Sequence, residues 1–266
     1  MNMRLIILTG DQLRHKYFAN TLAKHFDVLG ILSEGKNIDL NSSGKIAPPA
    51  GVTEEEARFW QWHFGLAHDE EERMFGEHRA FNPSPKVTEV PKGKINEAQY
   101  ATLVQSLNPD GIAVFGTGIL KGGMLAAGAG KMINMHLGLS PYYRGSATNF
   151  WPLYNEEPEF VGVTIHFIDP GIDTGAIIHQ GRPQIEKNDN QHTIGNKTII
   201  IGTNLMQKAM EELEKGTIKS FPQTGKSRLY QRKDFLPVHL KRMKALLEGG
   251  MVVRYAMNPK NVEIIE

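Results

Sequence analysis

Cysteine is absent from this chain of 266 residues, which excludes disulfide bonds, thiolate metal ligands and cysteine nucleophiles. No apolar run approaches the roughly 20 residues that cross a bilayer, and the first ten residues lack the pattern of a secretory signal. An excess of one charge is also missing, because 30 basic and 29 acidic residues leave a net charge of +1. With no overall field to attract nucleic acid or an anionic membrane, we expect a soluble cytoplasmic protein that binds neither.

Three sequence motifs that would indicate a particular chemistry are also missing. No GxGxxG follows the first apolar run, so a nicotinamide cofactor is not supported. Ser140 lies in Gly-Leu-Ser-Pro-Tyr, which is not the GxSxG turn of a serine nucleophile. His63, His68 and His78 do not combine with acidic residues at the spacing of metal ligands. We therefore expect neither a metal nor a covalent serine intermediate.

The apolar runs that are present predict an α/β protein. Residues 5–8 and 28–32 are β-rich and flank a segment with helical spacing, which is typical of a parallel βαβ unit. Residues 111–115 and 132–134 are continuous apolar runs, as in parallel strands covered on both faces. We expect a Rossmann-like, mostly parallel sheet with helices on both faces. Gly10 fits either a structural turn or a turn that admits a phosphate to a helix N-terminus.

The chain divides into a predicted catalytic domain over residues 1–215 and a small C-terminal appendage over residues 216–266. Within the appendage, residues 240–247 have helical spacing, and the pair Val252-Val253 is β-like. In the first domain, the polar segment over residues 41–49 is marked by Pro and Gly and predicts a loop.

A helical insertion is predicted near residues 52–79. Thr53 and Glu56 have the spacing of a capping box, and the helix that follows carries an aromatic run from Phe59 to Phe64. Two interpretations stay open: the aromatic side chains pack on the main sheet or on a partner helix, or they form a surface for self-association or a substrate lid. Self-association would give the homodimer that we expect.

Three polar side chains are predicted to meet at one edge of the sheet. Asn134 and His136 lie at the carboxyl end of a strand, and Asp173 follows another strand in a Gly- and Pro-rich turn. Open parallel sheets bind ligands at this edge. Asn134 could donate to an oxyanion, His136 could move a proton or stabilise the same charge, and Asp173 could orient the ring. Without a covalent nucleophile, this centre favours a direct transfer in which the substrate attacks.

Several motifs, taken in order, resemble the folate-dependent formyltransferases, most of all the sugar N-formyltransferases. The resemblance covers roughly residues 85–200 strongly and the first thirty residues loosely. It is carried by Asn108-Pro109-Asp110, Phe115-Gly116-Thr117-Gly118-Ile119-Leu120, Asn134-Met135-His136, Pro141-Tyr142-Tyr143-Arg144-Gly145, Gly162-Val163-Thr164-Ile165-His166, and Asp169 to Gly175 with Gln180.

The resemblance implies transfer of a formyl group from 10-formyltetrahydrofolate to an amine, with Asn134, His136 and Asp173 as the catalytic residues. It also implies that the pterin is bound by two segments, largely through backbone groups: Thr117, Gly118, Ile119 and Leu120 form one, and Asp169, Pro170, Gly171 and Ile172 the other. One departure stands out. Gly138 occupies the position at which the family commonly has Ser.

The acceptor amine is predicted to belong to a nucleotide-linked amino sugar used in surface polysaccharide biosynthesis. The stretch Tyr230-Gln231-Arg232-Lys233-Asp234-Phe235 resembles the tails of sugar N-formyltransferases. Residues expected to contact this substrate are Gly10, Tyr142, Tyr143, Arg144 and Gly145. Tyr142, Tyr143 and Arg144 could stack on a base or bind a pyrophosphate, although Arg144-Gly145 also fits a simple loop closure.

The sequence also allows other functions. Glycinamide ribonucleotide and methionyl-tRNA are alternative acceptors, but residues 9–13 depart from a phosphate loop and the near-zero net charge does not suit tRNA. A formyltetrahydrofolate hydrolase would use the same three residues with water as acceptor. A non-catalytic folate- or partner-binding module is disfavoured, since binding alone would not require all three.

Overall fold

The computed structural model describes residues 2–35, 46–82 and 85–265. Its strands are β1 (Arg4–Gly10), β2 (Asp27–Glu34), β3 (Lys86–Val90), β4 (Gly111–Phe115), β5 (Met132–His136), β6 (Tyr143–Gly145), β7 (Val163–Phe167), β8 (Ile177–Gly181) and β9 (Arg228–Tyr230). Its α-helices are α1 (Leu13–Leu22), α2 (Glu54–Phe75), α3 (Ala98–Leu107), α4 (Gly122–Ala127), α5 (Trp151–Tyr154), α6 (Gln191–Glu214), α7 (Val238–Glu248) and α8 (Met251–Met257). Of the predicted loop over 41–49, residues 41–45 lie outside the described ranges, and 46–49 have no regular structure.

The main sheet confirms the predicted fold class. Its strand order is β3-β2-β1-β4-β5-β7-β8, with β1 to β5 parallel and β7 antiparallel to both of its neighbours. The order of the strands reverses between β1 and β4, and at such a point the connections leave toward opposite faces and open a crevice at the carboxyl edge. The site described below lies at this edge.

Strand β1 shows why the sheet is covered on both faces. Leu5 and Ile7 point into a core packed by α1 and α6, whereas Ile6 and Leu8 point into a second core packed by α3 and α4. All four side chains are fully buried. Because successive residues of a strand face opposite sides, a strand between two helical layers must be apolar at every position.

Helix α2 packs against the C-terminal appendage. Its predicted capping box is present, since Thr53 Oγ1 accepts from the Glu56 N–H at 3.2 Å and the Thr53 N–H donates to the Glu56 carboxylate at 2.8 Å. Trp60 and Phe64 are buried in a third apolar cluster with residues of α5, α7 and α8. The aromatic run therefore serves internal packing, and the homodimer stays a prediction.

The appendage contains the predicted helix over 240–247, but the predicted β-like pair Val252-Val253 is wrong. Both valines lie in α8, which follows Gly250 in the left-handed region with φ of 76°. Val252 is buried in the third cluster, so tertiary packing overrides the β preference of valine. The boundary at residue 215 stays a prediction. None of the helices in the described ranges has the length and apolar character that crossing a bilayer requires.

Candidate active site

The three predicted catalytic side chains meet at the carboxyl end of β5. Asn134 Nδ2 lies 3.4 Å from Asp173 Oδ1, and His136 Nδ1 lies 3.3 Å from Asp173 Oδ2. Asn134 and His136 come from one face of β5, since they are two residues apart on a strand. Asp173 reaches them from the turn that follows β7, the antiparallel neighbour of β5. The structure thus brings together all three residues.

The turn that carries Asp173 depends on its glycines. Asp173 itself has a φ of 51°, a left-handed conformation that aspartate tolerates better than most residues. A Cβ atom at Gly175 would overlap the carbonyl oxygen of Phe167, and one at Gly171 would overlap the Thr174 hydroxyl. The motif Asp-Pro-Gly-Ile-Asp-Thr-Gly is therefore a geometric requirement for placing the Asp173 carboxylate.

Two hydrogen-bond acceptors face the ring of His136. Its Nε2 lies 3.0 Å from the carbonyl oxygen of Tyr143, which can only accept, so this nitrogen carries a hydrogen. Its Nδ1 faces Asp173 Oδ2. Both ring nitrogens of His136 therefore face an acceptor, and these two contacts fix the orientation of the ring.

The carboxyl group of Asp173 is held ionised by its neighbours. Burial acts to raise its pKa, but the imidazoles of His136 and His166 and the N–H of Gly145 outweigh burial and lower the pKa well below the usual value. The Gly145 N–H donates to Asp173 Oδ2 at 2.9 Å. Asp173 is thus a carboxylate at neutral pH, available to orient a cation or receive a hydrogen bond.

His166 is a member of the centre to which the sequence motifs assigned no role. It lies on β7 directly opposite Asn134 in the strand register. Its Nδ1 lies 2.7 Å from the carbonyl oxygen of Phe167, and its Nε2 lies 3.1 Å from Asn134 Nδ2 and 3.6 Å from Asp173 Oδ1. A hydrogen of Asn134 Nδ2 makes only a long 3.4 Å contact with Asp173 Oδ1, and is therefore available to a developing oxyanion.

Strand β6 connects this centre to the C-terminal appendage. Two of its main-chain groups contact the centre: Tyr143 O contacts His136, and Gly145 N contacts Asp173. Strand β6 also pairs in parallel with β9, with Tyr143 opposite Arg228 and Gly145 opposite Tyr230. Gly145 has a φ of 94°, and a Cβ atom there would overlap the carbonyl oxygen of Tyr230. A strand from the appendage thus supports the strand that contacts His136 and Asp173.

Side chains reinforce the β6–β9 pairing. The Tyr143 ring stacks on Tyr230 with centroids 5.8 Å apart, and Tyr230 stacks on Trp151 at 4.5 Å. The Tyr143 hydroxyl donates to Glu157 and accepts from Arg228 Nη1 at 2.6 Å. Burial raises the pKa of this phenol far above its usual value, so it stays protonated.

One predicted substrate contact is corrected by its position. The Tyr143 ring is buried in the stack and cannot stack on a nucleotide base. Gly10 is the last residue of β1, pairs with Glu34, and does not line the cavity in the described part of the chain. Its contact with a substrate stays a prediction.

The other three residues predicted to contact the substrate differ in whether they line the cavity. Gly145 lines the cavity beside the centre. Tyr142 packs on Phe160 with centroids 4.8 Å apart, and the Arg144 guanidinium donates to Ser227 Oγ at 2.6 Å. Tyr142 and Arg144 lie outside the cavity wall as far as the described residues define it, and their roles stay predictions.

A cavity of about 1330 Å³ opens beside Asn134, His136 and Asp173. Every residue of the two predicted folate segments lines it except the exposed Pro170. Ile119 and Ile172 are 53% and 38% exposed there, and such exposed apolar side chains fit a flat aromatic ligand. The residues present therefore fit a pterin.

The segment over residues 117–120 is fixed from behind by two polar side chains. The buried carboxylate of Glu34 accepts from the N–H groups of Gly93, at 3.0 Å, and Gly118. The carboxamide of Asn96 donates to Ile119 O at 2.9 Å and accepts from the backbone N–H of Lys121 at 2.7 Å. This wall is rigid before any ligand binds.

The cavity is also lined by two neighbouring histidines, of which His63 is buried and His192 partly buried. His63 on α2 and His192 on α6 have ring centroids 4.5 Å apart. Burial lowers the pKa of His63 well below its usual value, with a further contribution from His192. Burial likewise lowers the pKa of His192 from 6.5 to about 3. Both rings are neutral at physiological pH.

Fold and site together define an α/β protein with a polar centre suited to stabilising an oxyanion. The sequence profile of the formyl transferase family matches residues 63–210. The chain belongs to this family.

Sequence relatives include methionyl-tRNA formyltransferases. The protein from Thermodesulfovibrio yellowstonii is 36% identical over 133 residues, which cover 50% of this chain and 43% of the relative. The protein from Pelotomaculum thermopropionicum is 34% identical over 133 residues, which cover 50% of this chain and 42% of that relative. The chain thus spans less than half the length of these curated relatives.

Solved structures with different acceptors share the fold. A formyltransferase from Anoxybacillus kamchatkensis in complex with UDP-4,6-dideoxy-4-formamido-L-AltNAc and tetrahydrofolate is 20% identical, with a TM-score of 0.51 covering 93% of this chain and 94% of its own. A phosphoribosylglycinamide formyltransferase from Anaplasma phagocytophilum is 13% identical, with a TM-score of 0.57 covering 87% of this chain and 100% of its own. At such identities these likenesses establish the fold alone.

Gly138→Ser should displace the ring of His136. A Cβ atom at Gly138 would lie 2.5 Å from His136 Nε2 and 2.7 Å from Tyr143 O, directly against the hydrogen bond that joins them. We expect the imidazole NMR signals of His136 to change, and the free energy of unfolding measured in urea to fall by about 1–3 kcal/mol, as for overpacking a buried site. Gly65→Ser is the matched control, because a Cβ at Gly65 meets nothing within 4 Å. Unchanged His136 signals in Gly138→Ser would contradict the proposed need for a glycine.

Lowering the pH from about 7 to about 5 should destabilise the protein through His192. The unfolded chain takes up a proton near the usual pKa of 6.5, whereas the folded state does not until about 3. Stability is therefore lost as the pH falls below 6.5, by about 2 kcal/mol at pH 5 for one such group. Urea unfolding at both pH values should show a smaller loss in His192→Gln. An equal loss in both proteins would show that His192 is protonated in the folded state.

Proposed function

We propose that this chain transfers a formyl group from 10-formyltetrahydrofolate to an amine by direct attack. The observation that supports it is the convergence of Asn134, His136 and Asp173 beside one cavity with walls that fit a pterin. The amine nitrogen attacks the formyl carbon, and negative charge forms on the formyl oxygen. The carbon's bond to N10 of the folate then breaks, and a proton passes from the attacking nitrogen to N10.

Each side chain has a defined part in this proposal. Asn134 donates its weakly engaged N–H to the formyl oxygen. His136 stabilises the same charge and relays the proton, and for either role its Nε2–H must release Tyr143 O to reach the substrate. Asp173 orients the ring through its contact with Nδ1.

We propose a nucleotide-linked amino sugar of surface polysaccharide biosynthesis as acceptor. Tyr230, Gln231, Arg232 and Phe235, from the stretch that resembles the tails of sugar N-formyltransferases, all line the cavity. The formyltransferase from Anoxybacillus kamchatkensis binds a ligand of this kind and covers nearly the whole chain. A folate donor and such an acceptor are consistent with a cytoplasmic enzyme.

Methionyl-tRNA is a second candidate acceptor, supported by the 36% identity to the relative from Thermodesulfovibrio yellowstonii. That match covers 43% of the relative, and it does not extend to most of its chain. The near-neutral charge of the present chain disfavours a polyanionic acceptor. A sugar acceptor is therefore preferred.

Alanine at Asn134 or His136 should lower kcat strongly and leave the fold intact. Loss of one oxyanion donor typically costs about 100- to 1,000-fold in rate. Asp173→Asn should lower kcat more than it raises the KM for the folate donor, because Asp173 acts on the ring of His136. The exposed His25→Ala serves as control. Near-wild-type turnover of His136→Ala, or an effect of Asp173→Asn confined to KM, would contradict these roles.

Offering the purified protein 10-formyltetrahydrofolate with each acceptor class tests the substrate. We expect mass spectrometry to find a formyl group added to a nucleotide-linked amino sugar, and not to glycinamide ribonucleotide or methionyl-tRNA. Formate released from the donor alone, at a rate that no amine changes, would instead indicate a hydrolase. A formylated tRNA would reject the sugar and retain the formyl transfer.

A further inference from the structure

The cavity extends away from the catalytic side chains into a compartment between two helices. This α2–α6 compartment is lined by Trp60, His63, Phe64 and Glu71 from α2, and by Gln191, His192 and Asn196 from α6. The two helices are tied together where α6 begins, since Asn190 Nδ2 donates to Glu70 Oε1 at 2.9 Å. The compartment is built from the helical insertion and belongs to the same cavity as Asn134, His136 and Asp173.

Buried polar atoms without partners are concentrated in this compartment. They are Trp60 Nε1, His63 Nδ1, Glu71 Oε2, Gln191 Nε2 and Oε1, His192 Nε2, and Asn196 Nδ2, none of which has a hydrogen-bond partner within the described structure. Gln191 is only 6% exposed, yet neither atom of its carboxamide is bonded. Each such atom costs about 1–3 kcal/mol while it stays unbonded, so this wall offers several hydrogen-bond partners to a polar molecule that enters the cavity.

The charge of the compartment restricts that molecule. Arg14, at the edge, is paired with Glu71, so its guanidinium is already neutralised. His63 and His192 are neutral because burial disfavours their charged forms. What remains is a set of carboxamides, imidazoles and an indole N–H, which offer donors and acceptors without net charge. A phosphate would lose its hydration here without gaining an unpaired cation.

The apolar part of the wall favours a ring. Phe150 and Phe235 complete the lining beside Trp60 and Phe64, and these aromatic faces lie next to the unbonded polar atoms. A ring with hydroxyl or amide groups at its edge and apolar C–H groups on its faces matches such a wall, in which carboxamides lie beside aromatic side chains.

We propose that the α2–α6 compartment binds the uncharged pyranose ring of the acceptor, through Gln191, Asn196 and the two histidines, and that the nucleoside diphosphate lies outside it. The exposed Arg232 lines the outer part of the same cavity, where a diphosphate stays in contact with water. This inference rests on the proposed sugar acceptor, and it identifies Gln191 and Asn196 as the residues that select the sugar.

Sugar binding without a folate donor tests the inference separately from catalysis. Saturation-transfer NMR would compare four uncharged pyranoses, glucose, galactose, fucose and N-acetylglucosamine, with glucose 6-phosphate and ribose 5-phosphate. We expect a signal from at least one uncharged pyranose, and none from the phosphorylated sugars. Gln191→Leu, which removes both unbonded atoms and keeps a similar volume, should abolish that signal. Gln207→Leu on the same helix, whose side chain bonds Glu211 at 2.8 Å, should retain it.

The result that would overturn the inference is a phosphorylated sugar that binds better than its uncharged counterpart, or pyranose binding that Gln191→Leu does not reduce. Absence of binding by every uncharged pyranose would also overturn it. Where the acceptor panel finds a sugar substrate, Gln191→Leu should raise its KM about tenfold or more, as expected for one or two lost hydrogen bonds. Failure of formyl transfer alone, with pyranose binding intact, would contradict the proposed function and not this site.

Discussion

Two main-chain groups of strand β6 hold the ionisable pair of the centre in place. The carbonyl of Tyr143 accepts from His136, and the N–H of Gly145 donates to Asp173, while the two side chains also contact each other. These contacts close a ring, so neither side chain can rotate without breaking a bond. Backbone groups are suited to this task because they do not change rotamer, and a centre held this way is ordered before substrate binds.

A strand of three residues cannot hold such a position alone, and β6 depends on the C-terminal appendage. Strand β9 pairs with it, and the stack of Tyr143, Tyr230 and Trp151 fills the space beside the pair. The appendage thus contributes to the strand that holds His136 and Asp173, although more than 80 residues separate β6 from β9. A division of the chain into a catalytic domain and an accessory tail would cut this connection.

Short-range sequence patterns were sufficient to predict that three polar side chains of the centre meet. Asn134 and His136 end an apolar run, and Asp173 lies in a turn with required glycines, so strand alternation and turn chemistry place all three. The role of β6 was not predictable, because its pairing with β9 leaves no pattern in either segment. The position of His166 opposite Asn134 depends on the register of β5 and β7, which a single sequence does not specify. Tyr143 was predicted to contact the substrate because it is an aromatic residue that follows the strand of Asn134 and His136. Its ring is instead buried in the stack.

Gly138 stands where the family commonly has serine, and the contact between His136 and Tyr143 accounts for this difference. Its backbone φ does not require a glycine, so the constraint is space: any side chain would enter the 3.0 Å contact between His136 and Tyr143. A serine hydroxyl at this position and a direct contact between ring and carbonyl are therefore mutually exclusive in this chain, and the chain has the direct contact.

The charges of the residues that line the cavity restrict the kind of acceptor that can bind beside the centre. The α2–α6 compartment contributes no unpaired cation within the described residues, so a diphosphate is not favoured there. A molecule that carries both an amine and a diphosphate must therefore keep the two apart, with an uncharged polar segment between them. A hexose has this property, because its ring separates an amino substituent from the anomeric phosphate and presents hydroxyl groups on the way. The neutral histidines and carboxamides of α2 and α6 present donors and acceptors that suit such a ring, and several of them have no partner within the described residues.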